Sequence, residues 1–324
     1  MATRKPTRSR RKKQKLSRAQ FWTLVLSASV VAALCLLITV SGKMSKPFLP
    51  TWQELFAYLD GTDKPGQPLD TEMEVHVIDV GNADSVLVRN KGKNLLIDAG
   101  EREDGERVVA YLRDHGVEKL DYVIATHADA DHIGGMKTVI QNIKIDRFIM
   151  AYMPEGHTPT TSTYAGMLEA LMDNGVKITP AKVGANYALG DAQVDILGPA
   201  GDFEENNNQS VVCKVTFGGR KFLFMGDAEK QAENALLSAG TDLSADVLKV
   251  GHHGSNTSTG AKLLAAVDPD YAILTCGVDN SYGHPHPDVV KRLQEAGVTL
   301  YRSDANGHIV ITTDGDALTF KTGK

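Results

Sequence analysis

From residue 73 onward, short apolar runs separated by turn residues alternate with stretches of helical period. Residues 75–80 (Val-His-Val-Ile-Asp-Val) alternate poorly and predict a buried strand. Residues 85–89 and 94–97 predict two more strands, with Lys91-Gly92-Lys93 as the turn between them. A strand over 120–125 follows. Residues 211–217 and 221–225 predict a hairpin through Gly218-Gly219. Strands are expected at 247–250 and 271–274, and a closing hairpin at 309–312 and 317–322. Helical stretches fall at 105–115 (stopped by Gly116), 133–140, 163–173 (stopped by Asn174-Gly175), 228–238, 261–266 and 287–296. Strand runs precede helices in both halves. The pattern predicts an α/β domain of two sheets packed face to face, with helices on the outer faces.

The first forty residues differ in texture. Residues 1–20 hold nine Lys or Arg and no acid, and residues 21–40 carry no charge at all. Twenty apolar residues suffice to cross the hydrocarbon core as a helix. A cleaved signal peptide has a shorter apolar stretch, and no small-x-small cleavage site follows Val40, so an uncleaved anchor is expected. The basic cluster places the N-terminus in the cytoplasm and the remainder outside the cell. The expected organisation is a cytoplasmic tail over 1–20, a transmembrane helix over 21–40, a proline-bearing linker over 41–72 and a folded domain over 73–324. Taking the nine basic residues of the tail from the 35 in the chain leaves 26 against 40 acids, a formal charge of −14. This acidic remainder has no global basic footprint for nucleic acid. Of the three cysteines, Cys35 lies in the apolar span, and Cys213 and Cys276 lie in strand-like runs. No disulfide framework results, and packed thiols are expected.

Composition bounds the class; residues 127–132 carry the chemistry. His127-Ala-Asp129-Ala-Asp131-His132 puts four metal-ligand side chains directly after a strand. His127 and Asp129 alternate along an extended segment and can face one side, while Asp131 and His132 turn away to serve a second ion. The bland alternative, in which Asp131 caps the helix that follows, accounts for one residue of the four. A second apolar run ends in Gly226-Asp227, whose carboxylate either bridges two cations or caps a helix from Ala228. His252-His253 and His284-Pro-His286 each follow a predicted strand. Six of the ten histidines thus fall in three short loops. His76, His115, His157 and His308 are read as structural or solvent-facing.

Taken together these motifs resemble the metallo-β-lactamase-fold hydrolases, whose His-x-His-x-Asp-His signature is matched here with Asp129 in place of the second histidine. The likeness is closer to the exported domain of the ComEC competence proteins. It rests on Val77-Ile-Asp-Val-Gly-Asn-Ala-Asp-Ser85, Leu96-Ile-Asp98-Ala-Gly100, Asn207-Asn208-Gln209-Ser210, Met225-Gly226-Asp227, His252-His253-Gly254-Ser255 and Tyr282-Gly283-His284-Pro285-His286-Pro287, over residues 73–320. Asn82-Ala83 replaces the family's Gln-Gly. The superfamily's late histidine is missing, with Cys276 near its position. The multi-helix channel of ComEC has no counterpart in this chain's single span.

The resemblance implies an αββα sandwich and two divalent ions, zinc or manganese. One would use His127, Asp129 and a bridging Asp227. The other would use Asp131, His132, Asp227 and either His252 or His253. Asp131, Asp227, His253, His284 and His286 are the implied catalytic groups; Asn208, Ser210 and Ser255 are substrate-holding candidates, and Asp98 orients ligands from behind. The expected function is a membrane-anchored extracellular phosphodiesterase or nuclease acting on DNA. The alternatives are a cell-surface phosphoester, lactone or β-lactam hydrolase, and a non-catalytic, metal-stabilised binding domain.

Overall fold

The computed structural model describes residues 72–153 and 158–323. The expected membrane span and nearly all of the expected linker lie outside these residues. Among the described residues no helix is long and apolar enough to cross a membrane.

The first half of the domain contributes β1 (Met73–Val77), β2 (Val86–Asn90), β3 (Lys93–Ile97), β4 (Lys119–Leu120), β5 (Tyr122–Ala125), β6 (Lys144–Ile145), β7 (Phe148–Met150) and β8 (Ile178–Pro180). The second half contributes β9 (Asn186–Leu189), β10 (Ala192–Ile196), β11 (Cys213–Phe217), β12 (Arg220–Phe224), β13 (Val247–Lys249), β14 (Tyr271–Leu274) and β15 (Thr299–Arg302). The chain closes with β16 (Ile309–Thr313) and β17 (Leu318–Thr322). One sheet runs β17-β16-β1-β2-β3-β5-β7-β8, the other β15-β14-β13-β12-β11-β10-β9, and β4 pairs with β6. The closing hairpin thus returns to the first sheet, where β16 pairs antiparallel with β1.

Alternate residues of the central strands enter different cores. Leu95, Ile97 and Ile124 share a cluster with Phe222, Phe224, Val215 and Val247 of the opposite sheet. Leu96 and Val123 point the other way, onto α1 (Gly105–Asp114), α2 (Ala130–Ile133), α3 (Met136–Asn142) and α4 (Ser162–Asp173). Leu223, Leu248 and Ala272 pack outward on α5 (Lys230–Ser238), α6 (Ala261–Val267) and α7 (Pro287–Glu295). The layers are therefore αββα, as expected. Strands covered on both faces need apolar side chains at every position, which is why their sequence lacks alternation.

The pattern missed β6 to β10 and β15; β7 is apolar but only three residues long, and the others are short strands of mixed polar and apolar composition that read as loop. The expected helix over 133–140 is two helices broken at Gly134-Gly135. A Cβ on Gly134 would collide with the backbone of Ala130 and Arg102, and one on Gly135 with the Ala99 carbonyl. The two glycines let this turn press against the loop after β3. α5 begins at Lys230 with Glu229 at its N-cap, so Asp227 caps no helix.

Candidate metal centre

β5 pairs parallel with β3 and β7 in one sheet and β12 pairs parallel with β13 in the other, and contacts such as His132–Asp227 and His253–Asp131 show that the loops leaving β3, β5, β12 and β13 share one edge of the sandwich. Open α/β sheets bind ligands at the carboxyl ends of their strands.

Asp98, fully buried after β3, organises the first-sheet side. Its carboxylate accepts from the Thr126 N–H at 2.8 Å, the Thr126 hydroxyl at 2.6 Å and His132 Nδ1 at 2.8 Å. Donation from Nδ1 leaves the His132 Nε2 lone pair free, 3.1 Å from Asp227 Oδ1. His127 is buried with Nδ1 3.2 Å from Thr126 Oγ and Nε2 3.4 Å from Asp129 Oδ2. Asn206 holds the other Asp129 oxygen at 2.6 Å.

The second sheet supplies Asp227, His252 and His253. Ser210 Oγ accepts the Asp227 N–H at 3.0 Å and lies 3.4 Å from His127 Nδ1, tying the sheets together. His252 and His253 both adopt left-handed backbone, with φ of 46° and 51°. That conformation costs a non-glycine residue roughly 1–2 kcal/mol, and here it splits adjacent imidazoles between two partners. His253 Nδ1 donates to the Thr275 carbonyl at 2.9 Å, and its Nε2 lies 3.1 Å from Asp131 Oδ2 and 3.6 Å from Asp227 Oδ2. His252 Nδ1 donates to Glu229 at 3.0 Å, and its Nε2 lies 3.7 Å from Asp227 Oδ2. Behind His253, buried Asp84 accepts from Lys249 at 2.6 Å and from the Thr275 hydroxyl.

Asp131, His132, Asp227 and His253 place one ligand atom each within 4.8 Å of one another. His127 Nε2, His132 Nε2 and Asp227 Oδ1 are buried without a hydrogen-bond partner. Buried polar atoms are ordinarily satisfied. Histidines held at Nδ1 with Nε2 converging on carboxylates have the arrangement of metal ligands supported from behind. The residues present fit divalent ions.

Electrostatics agrees. Burial would raise the Asp131 carboxyl, but the His253 hydrogen bond and the His132 charge hold it down at about 2. Burial also opposes the charged form of Asp227, and His132 and His253 outweigh it, holding this carboxyl well below the usual range. Both imidazoles are pulled upward against their own burial, His132 by Asp227 and Asp98, and His253 by Asp227 and Asp131. Excess negative charge at the cluster thus attracts protons when no metal competes. His284 is driven the other way, to about 4, by burial and by the neighbouring His252 and His253.

The structure gathers His127, Asp129, Asp131, His132, Asp227, His252 and His253 at this edge. His284 joins them, its ring 5.4 Å from that of His252. Four other candidates lie elsewhere or act otherwise. His286 caps α7, accepting the Asp288 N–H at 3.2 Å. Asn208 is buried and accepts from the Glu229 and Ala232 amides at the start of α5. Ser210 is fully buried and positions Asp227. Ser255 hydrogen-bonds Thr257, which donates to Glu229 at 2.8 Å, so it braces His252 from behind. Cys276 is buried with its backbone on Ser303, away from the cluster, and both described cysteines are free. Glu229, Thr126 and Lys249 were not anticipated. A lysine inside the apolar run of β13 was the one available signal.

A cleft of 420 Å³ opens over the cluster, lined by Asp129, Asp131, Asp227, His252, His253 and His284 together with Asn82, Glu101, Thr161, Thr163 and Tyr282.

A chain with this four-layer fold and this histidine–aspartate edge belongs to the metallo-beta-lactamase superfamily, whose family model matches residues 78–278. The superfamily consists generally of metal-dependent hydrolases. Among characterised sequences, the chain is similar to ComE operon protein 3 of Bacillus subtilis, with 35% identity over 74% of this chain and 33% of that protein. It is also similar to competence protein ComA of Neisseria gonorrhoeae, with 31% identity over 88% of this chain and 38% of that protein. These relatives are ComEC-type competence proteins, and the chain spans about a third of their length. In three dimensions it resembles the metallo-beta-lactamase fold protein YhfI of Bacillus subtilis (TM-score 0.50, 13% identity, 74% of this chain and 99% of that one), a likeness of fold.

Proposed function

We propose that this chain is a membrane-anchored, extracellular phosphodiesterase that cleaves DNA at a binuclear metal centre. The observation that carries the reading is the convergence of Nε2 atoms of His127, His132, His252 and His253 on Asp129, Asp131 and Asp227. One ion is assigned to His127, Asp129 and Asp227. The other is assigned to Asp131, His132, Asp227 and His253, with His252 at the edge of the set. Divalent ions held by these residues would supply Lewis acidity to a phosphoryl oxygen and would lower the pKa of bound water. Asp129, the most exposed carboxylate of the set, exchanges an imidazole for an oxygen donor and so admits manganese beside zinc.

The protein residues have separate tasks. Asp98, Thr275 and Glu229 hold three imidazoles in the tautomer that presents Nε2. Ser210 fixes Asp227 between the two sheets. His284, pushed down to about 4, is neutral at pH 7 and serves as a hydrogen-bonding group in the cleft, not as a proton reservoir. The competence relatives support DNA as substrate, and the charge-free segment over 21–40 supports the anchor.

A second reading, hydrolysis of a small phosphoester, lactone or β-lactam, is favoured by one feature. Among the described residues lining the cleft there is no Lys or Arg. The deciding experiment loads the full chain with manganese or zinc and offers single- and double-stranded DNA, bis(p-nitrophenyl) phosphate and a β-lactam, with Asp131→Ala as control. DNA cleavage lost in the variant supports the nuclease. Turnover confined to small esters or the lactam supports the second reading, and metal uptake without turnover supports a binding domain.

A further inference from the structure

The loop that carries His284 also carries Tyr282. Its ring lies 5.8 Å from that of His284 at an interplanar angle of 23°, and the His284 ring lies 6.4 Å from that of His253 at 25°. The three rings form near-parallel tiers rising from the metal cluster to the rim of the cleft. Tyr282 is the outermost tier and is 72% exposed. It also lines the same cleft as Asp131 and Asp227. Among the described residues lining the cleft there is no Lys or Arg to meet a phosphate backbone, and Glu101 adds a carboxylate beside those assigned to the metals. Metal ions held there would take the scissile phosphate, but the rest of the strand meets no cationic side chain among the described lining residues, so its affinity must come from contacts that carry no charge.

We propose that Tyr282 is a stacking platform for the nucleobase beside the scissile phosphodiester, which makes the site selective for single-stranded segments and ends over paired duplex. The assignment rests on the phosphodiesterase reading and adds to it the residue that chooses the substrate. A paired base already spends both faces on its neighbours, whereas an unpaired base can lay one face on the outermost ring. Aromatic platforms of this kind are how proteins hold single strands without reading sequence. Because recognition is by π-face, any base preference is modest and follows stacking strength.

The test compares a single-stranded oligonucleotide with an abasic strand of the same length, which keeps the phosphodiesters and lacks the bases. The full chain is supplied with manganese. Wild type should cleave the base-bearing strand with a kcat/KM about ten-fold above the abasic strand, the difference residing in KM, since one base–aromatic stack is worth about that factor. In Tyr282→Ala the ratio of the two strands should fall toward one, and Tyr282→Trp should restore it. An unchanged ratio in Tyr282→Ala, or failure of tryptophan to restore a lost one, overturns the platform while leaving the phosphodiesterase intact. If wild type cleaves neither strand, the phosphodiesterase reading falls and the platform falls with it.

Discussion

Replacing Asp98 by asparagine isolates the support behind one ligand. The side chains match in shape, so the amide oxygen can still accept the Thr126 N–H that now lies 2.8 Å from Oδ1. The change falls on Oδ2, which accepts from both the Thr126 hydroxyl at 2.6 Å and His132 Nδ1 at 2.8 Å. An NH₂ group there donates and cannot accept. The Thr126 hydroxyl can rotate, but the imidazole must move its proton to Nε2. That proton then occupies the line to Asp227 Oδ1, 3.1 Å away, where a metal would sit. Loss of such support ordinarily weakens metal binding about 10- to 100-fold, or about 1.4 to 2.8 kcal/mol. Alanine would be a poorer probe. It strands three buried donors at about 1–3 kcal/mol each and threatens the fold itself. The assay is calorimetric titration of the metal-stripped full chain with zinc or manganese, with circular dichroism to confirm folding. A folded Asp98→Asn protein that binds metal within two-fold of wild type would refute the tautomer argument.

Other expectations concern pH, capping and close packing. His132 and His253 are raised above the ordinary imidazole value of about 6.5 in the metal-free protein. Their contribution to stability is therefore complete below that pH and is lost as pH rises through the elevated values. Metal uptake runs oppositely, because it needs the same nitrogens deprotonated; a pH series of melting temperatures, with and without metal, should diverge above about 6.5. At the acid end, Asp131 stabilises the fold above its ordinary value and this is lost as pH falls toward about 2. His286→Ala removes the N-cap of α7 and should cost about 1 kcal/mol in denaturant unfolding, with turnover retained; a collapse of kcat at unchanged stability would return His286 to the site. Gly135→Ala drives a Cβ into the Ala99 carbonyl and should destabilise by roughly 1–3 kcal/mol or more; an unchanged melting temperature would show that the loop after β3 yields freely.

Much of the candidate centre was legible because its candidate ligands are contiguous. His127 to His132 sit within six residues after an apolar run, and paired histidines after β13 repeat the device. Local sequence reports burial and strand ends well, since a strand covered on both faces must be apolar throughout. It reports the neighbours of a polar side chain poorly. Asn208, Ser255 and His286 were singled out by their place beside the candidate ligands, and nothing in the sequence signalled the partners they take: the start of α5, Thr257 behind His252, and the cap of α7.

What the sequence by itself determined is the set of ligand types, the strands that end in them and the layered α/β class, all consequences of composition within a few residues. Tertiary structure decided which atoms meet. Packing of the sheet that holds β5 against the sheet that holds β12 brings Asp227 to His132 across 95 residues of chain, and left-handed backbone at 252 and 253 sends His253 to Asp131 and His252 to Glu229. Such choices depend on sheet register and on one or two dihedral angles, and neither leaves a mark in the hydrophobic pattern.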